Sequence, residues 1–89
     1  MSHYSELFGK GVRNRRNELN LTQENLAEKA DIHRTYLADI ERGKRNPSLV
    51  NILKIIFALD LSPSIFFSTY IPELNQNSDP NIDKTKNID

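Results

Sequence analysis

The sequence predicts an all-α fold, a compact five-helix bundle. Between Tyr4 and Ile71, apolar residues recur three and four positions apart, the spacing of helices that each bury one face. No alternating run of β-branched residues is long enough to indicate a strand. The 89 residues contain no cysteine, so a small core must stabilise the fold without disulfides or thiolate-bound metal. These observations place a single domain at residues 4–72.

The first two predicted helices are separated by a short break around Asn20. Asparagine tolerates the left-handed backbone conformation that ends many helices, so the first helix is expected to stop there. Thr22 can accept a hydrogen bond from a first-turn N–H group and is the expected cap of a second helix that ends at Ala30. The apolar positions of these two helices are Leu7, Phe8, Val12, Leu19, Leu26, Ala27 and Ala30.

Three further helices follow with similar signals. Gly43 ends the third, Ser48 caps the fourth, and Ser62 with Pro63 begins the fifth, which Pro72 ends. The expected buried positions are Tyr36, Leu37 and Ile40 in the third helix and Leu49, Ile52, Leu53, Ile56 and Leu59 in the fourth. Residues 75–89 contain only two isoleucines among polar residues and one proline, so a disordered tail is predicted there.

The second and third helices are joined by only three residues, Asp31 to His33. So short a turn forces a steep crossing and predicts a helix-turn-helix pair, whose second helix can enter a DNA groove. Hydrogen-bonding side chains crowd the first half and outer face of that second helix: His33, Arg34, Thr35 and Asp39. Arginine reads the guanine edge, and threonine can contact thymine. An ordinary solvated helix face is the alternative interpretation.

Three cations, Arg42, Lys44 and Arg45, fall just beyond the third helix, next to Asn46. In a docked helix-turn-helix this loop would lie against the DNA backbone, where cations position the protein without reading sequence. Gln23, in the first turn of the second helix, could donate to a phosphate together with the backbone N–H groups there. A solvated loop whose charges suit a helix C-terminus is the alternative.

Two charged residues interrupt the apolar stripes. Arg16 lies four residues after Val12, and Glu41 continues the stripe of Leu37 and Ile40. A buried charge is very costly unless it is paired. We therefore expect an Arg16–Glu41 ion pair between the first and third helices.

With these marks the sequence resembles the Cro/phage-repressor helix-turn-helix family, also called the xenobiotic-response-element family. The resemblance covers roughly residues 7–67 and rests on Leu21-Thr22-Gln23-Glu24, Leu26-Ala27, Ile40-Glu41-Arg42-Gly43 and Asn46-Pro47-Ser48-Leu49. Residues 33–37 and 64–67 are most similar to the controller proteins of restriction–modification systems.

The resemblance implies a role for each matching position. Base contacts are expected from Arg34, Thr35 and Asp39, with His33 at the start of the reading helix. Contacts with the DNA backbone are expected from Gln23, Tyr36, Lys44, Arg45 and Asn46. Arg16 and Glu41 match the interior ion pair of the family. Many phage repressors carry glutamine at the outer reading positions, so their target sequences do not transfer to this chain.

The last two helices carry more apolar surface than one small core can absorb, and large exposed apolar patches commonly mark interfaces. The expected dimer interface consists of Phe57, Ile65, Phe66, Phe67 and Tyr70, although any one of them could instead complete the core. The resembled family forms two-fold dimers through this region. Such a dimer would place two reading helices in successive major grooves, ~34 Å apart, and would require a roughly palindromic operator.

Charge is distributed unevenly along the chain. The 12 Lys and Arg balance the 12 Asp and Glu, and zero net charge argues at first against a nucleic-acid binder. However, residues 1–46 contain 9 basic and 7 acidic residues, net +2, and residues 47–89 contain 3 and 5, net −2. This segregation removes the objection. The overall neutrality still predicts that affinity for DNA of arbitrary sequence is modest and strongly salt-sensitive.

The predicted function is a homodimeric transcriptional regulator that binds double-stranded operator DNA in a bacterial or phage cytoplasm, at the nucleoid. A protein-binding module such as an antitoxin is the alternative. No nucleophile–base pair or metal-ligand set is apparent, so neither enzymatic activity nor a cofactor is expected. Glu24 and Glu28 on the second helix could present an acidic patch to RNA polymerase; the alternative, which is far commoner, is a pair of solvated carboxylates. The longest apolar run, Ile55–Leu59, is far shorter than the ~20 residues of a membrane span. No secretory signal is expected.

Overall fold

Five α-helices and a short 3-10 helix make up residues 2–75, the part of the chain that the computed structural model describes, and no strand occurs there. The all-α prediction is confirmed. The helices are α1 (His3–Glu18), α2 (Gln23–Ala30), α3 (Arg34–Glu41), α4 (Leu49–Ala58) and α5 (Pro63–Tyr70), and the 3-10 helix is Pro72–Asn75. Apart from Asn75, the predicted disordered tail lies outside the described residues.

Serine and threonine caps fix the beginnings of four helices. The hydroxyl groups of Ser2, Thr22, Ser48 and Ser62 each accept a hydrogen bond from the backbone N–H three residues later, at 3.0 to 3.2 Å. α3 differs, because its cap residue His33 makes no such side-chain bond. The first turn of α3 therefore has no side chain folded back across it.

Left-handed residues end the helices where the sequence predicts breaks. Asn20 has a φ of 57° and Gly43 a φ of 74°, as expected for helix C-termini. Asp31 and Asp60 adopt the same conformation, with φ of 57° and 61°. These sharp turns keep the connections short, so consecutive helices pack against a shared core.

The core differs from the predicted one in α4. Leu49 was expected to be buried but is 70% exposed, whereas Ile55, expected on another face, is fully buried. The buried and half-buried residues of this region, Ile52, Ile55, Ile56 and Leu59, have the i, i+3, i+4, i+7 spacing of one helix face. Leu49 is seven residues before Ile56 and so lies on nearly the same side of α4, but it is the first residue of the helix. Its position at the helix end, rather than its hydrophobicity, accounts for its exposure.

Phe66 is a core residue, which corrects its prediction as an interface residue. Its side chain is 0% exposed, and its ring contacts those of Phe8, Phe67 and Tyr70 at centroid distances of 5.6, 5.3 and 5.8 Å. Ile71, just after α5, is buried as well. The physical reason is that α1 and α5 enclose an aromatic cluster that leaves no face of Phe66 for a partner.

Gly9 allows α1 to cross the end of α3 in backbone contact. A Cβ atom at this position would lie 2.2 Å from the carbonyl oxygen of Ile40 and 2.8 Å from that of Glu41. This approach places the second half of α1, with Arg13 and Arg16, beside the C-terminal end of α3.

Within residues 2–75, no single helix is long and apolar enough to cross a membrane; α4 and α5 together reach the length and composition but are bent by 82° at their break.

Candidate nucleic-acid interface

A tight turn joins α2 to α3. The backbone N–H groups of Asp31 and Ile32 donate to the carbonyl oxygens of Glu28 and Ala27, at 3.2 and 3.0 Å, and so fasten the turn to the end of α2. Ile32 is half-buried and packs against the core. The predicted helix-turn-helix pair is therefore present. α3 buries Leu37, Ile40 and Glu41 and leaves the opposite side of its first turn in solvent.

His33, Arg34 and Thr35 occupy this exposed first turn. Within residues 2–75 their side chains make no hydrogen bond or ion pair. Arg34 thus presents an uncommitted guanidinium group and Thr35 an uncommitted hydroxyl group on the same turn. These are donor types that read base edges in the major groove.

Asp39 was expected to read a base edge, but its carboxylate is already engaged within the protein. Its carboxylate is 22% exposed, and both oxygens are engaged: Oδ1 accepts from Arg42, and Oδ2 accepts from Nε of Arg45 at 3.4 Å. The side chain therefore holds two cations of the adjacent loop, rather than offering a free acceptor.

Arg45 is also held by Tyr36. Its guanidinium carbon lies 5.6 Å from the centre of the tyrosine ring, within the range of a cation–π contact. The Tyr36 hydroxyl accepts a hydrogen bond from the side-chain amide of Asn51 in the first turn of α4, at 3.1 Å. Tyr36, expected to contact the DNA backbone, thus connects α3, the basic loop and the beginning of α4.

The basic loop projects between two anchored ends. The backbone N–H of Lys44 donates to the Asp39 carbonyl oxygen at 2.9 Å, and Pro47 is buried. The side chains of Lys44, Arg45 and Asn46 are exposed between these points. Cations and an amide in this position can contact phosphates next to the groove that α3 would enter.

Behind the exposed face, Glu41 is a buried acceptor with several donors. Arg16 donates to both of its oxygens, from Nε at 2.7 Å and from Nη2 at 2.9 Å, and its Nη1 donates to the carbonyl oxygen of Leu21. The hydrogen bond to Glu41 raises the pKa of the Arg16 guanidinium above its already high ordinary value. Nε of Arg13 lies 3.8 Å away from Oε1. The two residues that interrupt the apolar stripes therefore form one charged, fully hydrogen-bonded contact between α1 and α3.

Gln23 belongs to the same network. Its side-chain nitrogen donates to Oε1 of Glu41 at 3.1 Å. This contact fixes the glutamine at the first turn of α2, and one amide hydrogen remains for a phosphate. The backbone N–H groups of Gln23 and Glu24 also have no hydrogen-bond partner among residues 2–75, as is normal at a helix N-terminus.

Sequence reasoning missed Asn51 and Arg13. Asn51 contacts Tyr36, and Arg13 approaches the Arg16–Glu41 pair. The only sequence signal for the Asn51 contact is weak: an asparagine in the first turn of α4, close in sequence to the basic loop. The position of Arg13 beside Glu41 depends on how α1 crosses α3, which no local pattern reveals.

The residues predicted for a dimer interface separate into two groups. Phe57 and Ile65 are 58% and 50% exposed, and Val50 lies on the same face of α4 as Phe57, two turns earlier. Phe67 and Tyr70 are only half-buried but face inward: the Tyr70 hydroxyl donates to Glu18 and accepts from Nη1 of Arg15 at 3.3 Å. Phe66 is buried, as described above. Among residues 2–74, most of the exposed large apolar side chains belong to α4 and the start of α5 (Leu49, Val50, Phe57 and Ile65), and the others are Tyr4 and Leu74.

Comparison with known proteins identifies a family. A family model described as helix-turn-helix matches residues 12–66. The control protein C.BamHI of Bacillus amyloliquefaciens is 55% identical over 58 residues, which cover 64% of this chain and 72% of that protein.

Solved structures give the same result. The restriction-modification controller protein C.AhdI of Aeromonas hydrophila has a TM-score of 0.71 and 42% identity, covering 74% of this chain and 100% of that chain. The controller protein C.Esp1396I, solved as a tetramer in complex with its natural 35 base-pair operator, has a TM-score of 0.78 and 32% identity. That match covers 85% of this chain and 100% of that chain.

Proposed function

The chain belongs to the helix-turn-helix family, and from this premise we propose that it is a homodimeric, sequence-specific transcriptional regulator of the restriction–modification controller type. It is encoded by a bacterium or a phage and acts on double-stranded operator DNA in the bacterial cytoplasm. The observation that carries the proposal is the exposed first turn of α3, where Arg34 and Thr35 have no partner within residues 2–75. Relatives named as controllers, one of them bound to its operator, support the same setting.

In this function α3 enters the major groove with its first turn leading. Arg34 makes a bidentate contact with guanine and Thr35 contacts a neighbouring base, while His33 lies at the groove edge. The exposure of His33, Arg34 and Thr35 and the absence of a side-chain cap on α3 support these contacts. Sequence preference therefore originates from few side chains.

Backbone contacts fix the register on both sides of α3. Gln23 and the N-terminal N–H groups of α2 bind a phosphate on one side, and Lys44, Arg45 and Asn46 bind phosphates on the other. Glu41 supports this arrangement because it holds Gln23 of α2 and Arg16 of α1 against the end of α3.

A two-fold dimer brings two copies of α3 to a roughly palindromic operator. The interface that we propose is the exposed apolar face of α4 and α5, with Phe57 and Ile65 as its main side chains. Val50 extends this face along α4. An apolar surface of this kind is costly to leave in water and is typical of interfaces.

A contact with RNA polymerase is a further part of the proposal. Glu24 and Glu28 are exposed one helical turn apart on α2, next to the phosphate-binding end of that helix. Operator-bound protein would present them beside the DNA. Transcription in vitro with a Glu24→Gln/Glu28→Gln variant that keeps its operator affinity would separate such a contact from DNA binding.

The test of the proposed function is selection of bound sequences from random double-stranded DNA. We expect a recurrent, roughly palindromic sequence whose half-sites are one helical turn apart. A selected pool that is no more enriched than one obtained with no protein would contradict the proposal.

Two variants then assign the roles within the selected sequence. Arg34→Ala should weaken binding to it by about 1–3 kcal/mol and relax the preference at one base pair, with little effect on random DNA. Lys44→Ala should weaken binding to both DNAs similarly. It should also reduce the slope of log affinity against log salt concentration by about the amount that one phosphate contact contributes. Equal losses on both DNAs for Arg34→Ala would contradict its reading role.

A further inference from the structure

Asp39 is an unfavourable residue for the place that it occupies. It lies in the last turn of α3, where the helix dipole disfavours a negative charge. It also contacts the basic loop, which the proposed function places beside DNA phosphates, and phosphates repel a carboxylate. Because the carboxylate is only 22% exposed, water offsets these costs only in part, and contacts within the protein must offset the rest.

Two arginines compensate the charge in the free protein. Arg42 and Arg45 bind opposite oxygens of the Asp39 carboxylate, and the stacking of Arg45 on Tyr36 keeps its guanidinium group over α3. Lys44, between them in sequence, makes no ion pair within residues 2–75. The carboxylate thus neutralises one of the three positive charges of the loop and holds two of them in place.

We propose that Asp39 is a specificity-determining residue, which holds Arg42 and Arg45 away from phosphates on arbitrary DNA and releases them on the operator. This inference rests on the proposed function. On the operator, the base contacts of Arg34 and Thr35 fix the register of α3, and the Asp39 carboxylate exchanges its arginines for the N4 amino group of a cytosine. The released guanidinium groups then bind phosphates.

The exchange discriminates because its two halves depend on different features of DNA. Phosphates are present on every sequence and supply nearly all non-specific affinity. A cytosine amino group within reach of Asp39 in the major groove is present only in a matching site. On any other sequence, release of the arginines would leave the carboxylate without a hydrogen-bond donor. The guanidinium groups of both ion pairs are more than half exposed, so each pair is weak, and the restraint reduces non-specific affinity without preventing release.

The experiment compares Asp39→Asn with Asp60→Asn on random-sequence and selected DNA across a salt titration. Asp60 is a matched control, because it is an exposed aspartate paired with a single cation, Lys29, at 3.5 Å and distant in sequence from the basic loop. Its left-handed backbone also suits asparagine. The two variants change the net charge equally, so any general electrostatic gain appears in both.

For Asp39→Asn we expect about threefold to tenfold tighter binding to random DNA at ~0.1 M salt and a salt dependence steeper by about one or two phosphate contacts. Binding to the selected sequence should not tighten, so the ratio of the two affinities falls. Asp60→Asn should leave this ratio unchanged. Thermal unfolding of both variants, monitored by circular dichroism, checks that each is folded.

A second background tests whether the arginines carry the effect. In Arg42→Gln/Arg45→Gln protein, the additional change Asp39→Asn should no longer tighten binding to random DNA. A gain that persists there would show simple repulsion between Asp39 and phosphate and would overturn the inference. So would equal gains on both DNAs, or no gain beyond that of Asp60→Asn. Failure of the proposed function is distinguishable, because wild-type protein would then select no sequence at all.

Discussion

At the scale of single residues, Glu41 connects the stability of the fold with the position of Gln23, a proposed phosphate contact. Its side chain is fully buried and accepts from Arg16 and Gln23. Glu41→Gln should lower the free energy of unfolding by about 3 kcal/mol, at the low end for a broken buried pair. Arg16 keeps its bond to the Leu21 carbonyl oxygen and some contact with solvent, which limits the loss. Urea denaturation measures this change.

Glu28→Gln is the matched control for that measurement. Glu28 is exposed on α2, and its side chain makes no hydrogen bond or ion pair within residues 2–75, so the same substitution should change the unfolding free energy by less than about 0.5 kcal/mol. If Glu41→Gln were equally silent, the contact between α1 and α3 would not depend on this ion pair.

The residues that sequence reasoning placed correctly are those whose pattern is local. Arg16 and Glu41 stand out because each interrupts a helical apolar stripe, and the structure places them in contact. Asp39 was only partly within reach of such reasoning: its pairing with Arg42, three residues later, is a local helical pattern that was overlooked, whereas its contact with Arg45 depends on the path of the loop. Asn51 could not be assigned either, because its partner is the hydroxyl group of Tyr36 on a different helix.

At the scale of helices, the crossing of α1 and α3 depends on Gly9. Alanine is the better helix former by about 1 kcal/mol, so Gly→Ala inside an exposed helix should stabilise. Here the new Cβ would meet two backbone carbonyl groups of α3, which cannot move without shifting the helix. We therefore expect Gly9→Ala to lower the unfolding free energy by about 2 kcal/mol or more.

Gly11→Ala gives the graded comparison for this prediction. A Cβ at Gly11 would lie 3.1 Å from Cγ1 of Ile71 and 3.2 Å from Cζ of Phe66, both side-chain atoms that can shift slightly. Its cost should therefore be smaller than that of Gly9→Ala in the same urea titration. A stabilised Gly9→Ala protein would contradict the close crossing.

A second feature at this scale joins α5 to α1 and is sensitive to pH. The Tyr70 hydroxyl donates to Glu18, and this hydrogen bond raises the pKa of Tyr70 above its ordinary value of about 10. The protonated form is thus favoured in the folded state. The resulting stabilisation is present below the pKa of the unfolded chain and is lost as pH rises through the higher pKa of the folded state.

Tyr70→Phe should therefore reduce the alkaline loss of stability. Wild-type protein is expected to lose more unfolding free energy than the variant when the pH is raised past about 10. Tyr4→Phe, at an exposed position near the start of α1, should behave like the wild type. Parallel alkaline curves for Tyr70→Phe and wild type would mean that the contact with Glu18 does not contribute.

At the scale of helices, the sequence predicted which segments are helical but not how each is rotated. Capping residues and left-handed turns are local, so Thr22, Ser48, Ser62 and Gly43 marked boundaries that the structure confirms. The rotation of α4 depends on the shape of the space left by the other helices. This is why Ile55, which was not in the predicted apolar stripe of α4, reaches the core.

At the scale of the whole molecule, the aromatic residues of α4 and α5 could belong either to the core of the domain or to an interface. Composition alone shows a surplus of apolar side chains in α4 and α5, but not which of them the domain needs for itself. The enclosure of Phe66 by Phe8, Phe67 and Tyr70 settles that division for one residue. Phe57, in contrast, has most of its side chain in solvent and no ring neighbour within residues 2–75.

This division predicts opposite outcomes for two phenylalanine variants. Phe57→Arg should leave the fold intact but weaken the homodimer by about tenfold or more, because an unpaired charge would be buried between the two copies. Phe66→Ala should instead lower the unfolding free energy by about 3–5 kcal/mol by emptying the core. Sedimentation velocity over a range of concentrations, together with thermal unfolding, distinguishes the two effects.

Asn14→Arg supplies the control, because it adds the same cation to an exposed position on α1. It should sediment as the wild type does. If Phe57→Arg also sedimented unchanged, α4 would not form the dimer interface, and the exposed apolar face would need another partner. If the variant became monomeric and lost operator affinity while keeping its binding to random DNA, dimer geometry would be the source of half-site recognition, since each monomer retains the same exposed first turn of α3.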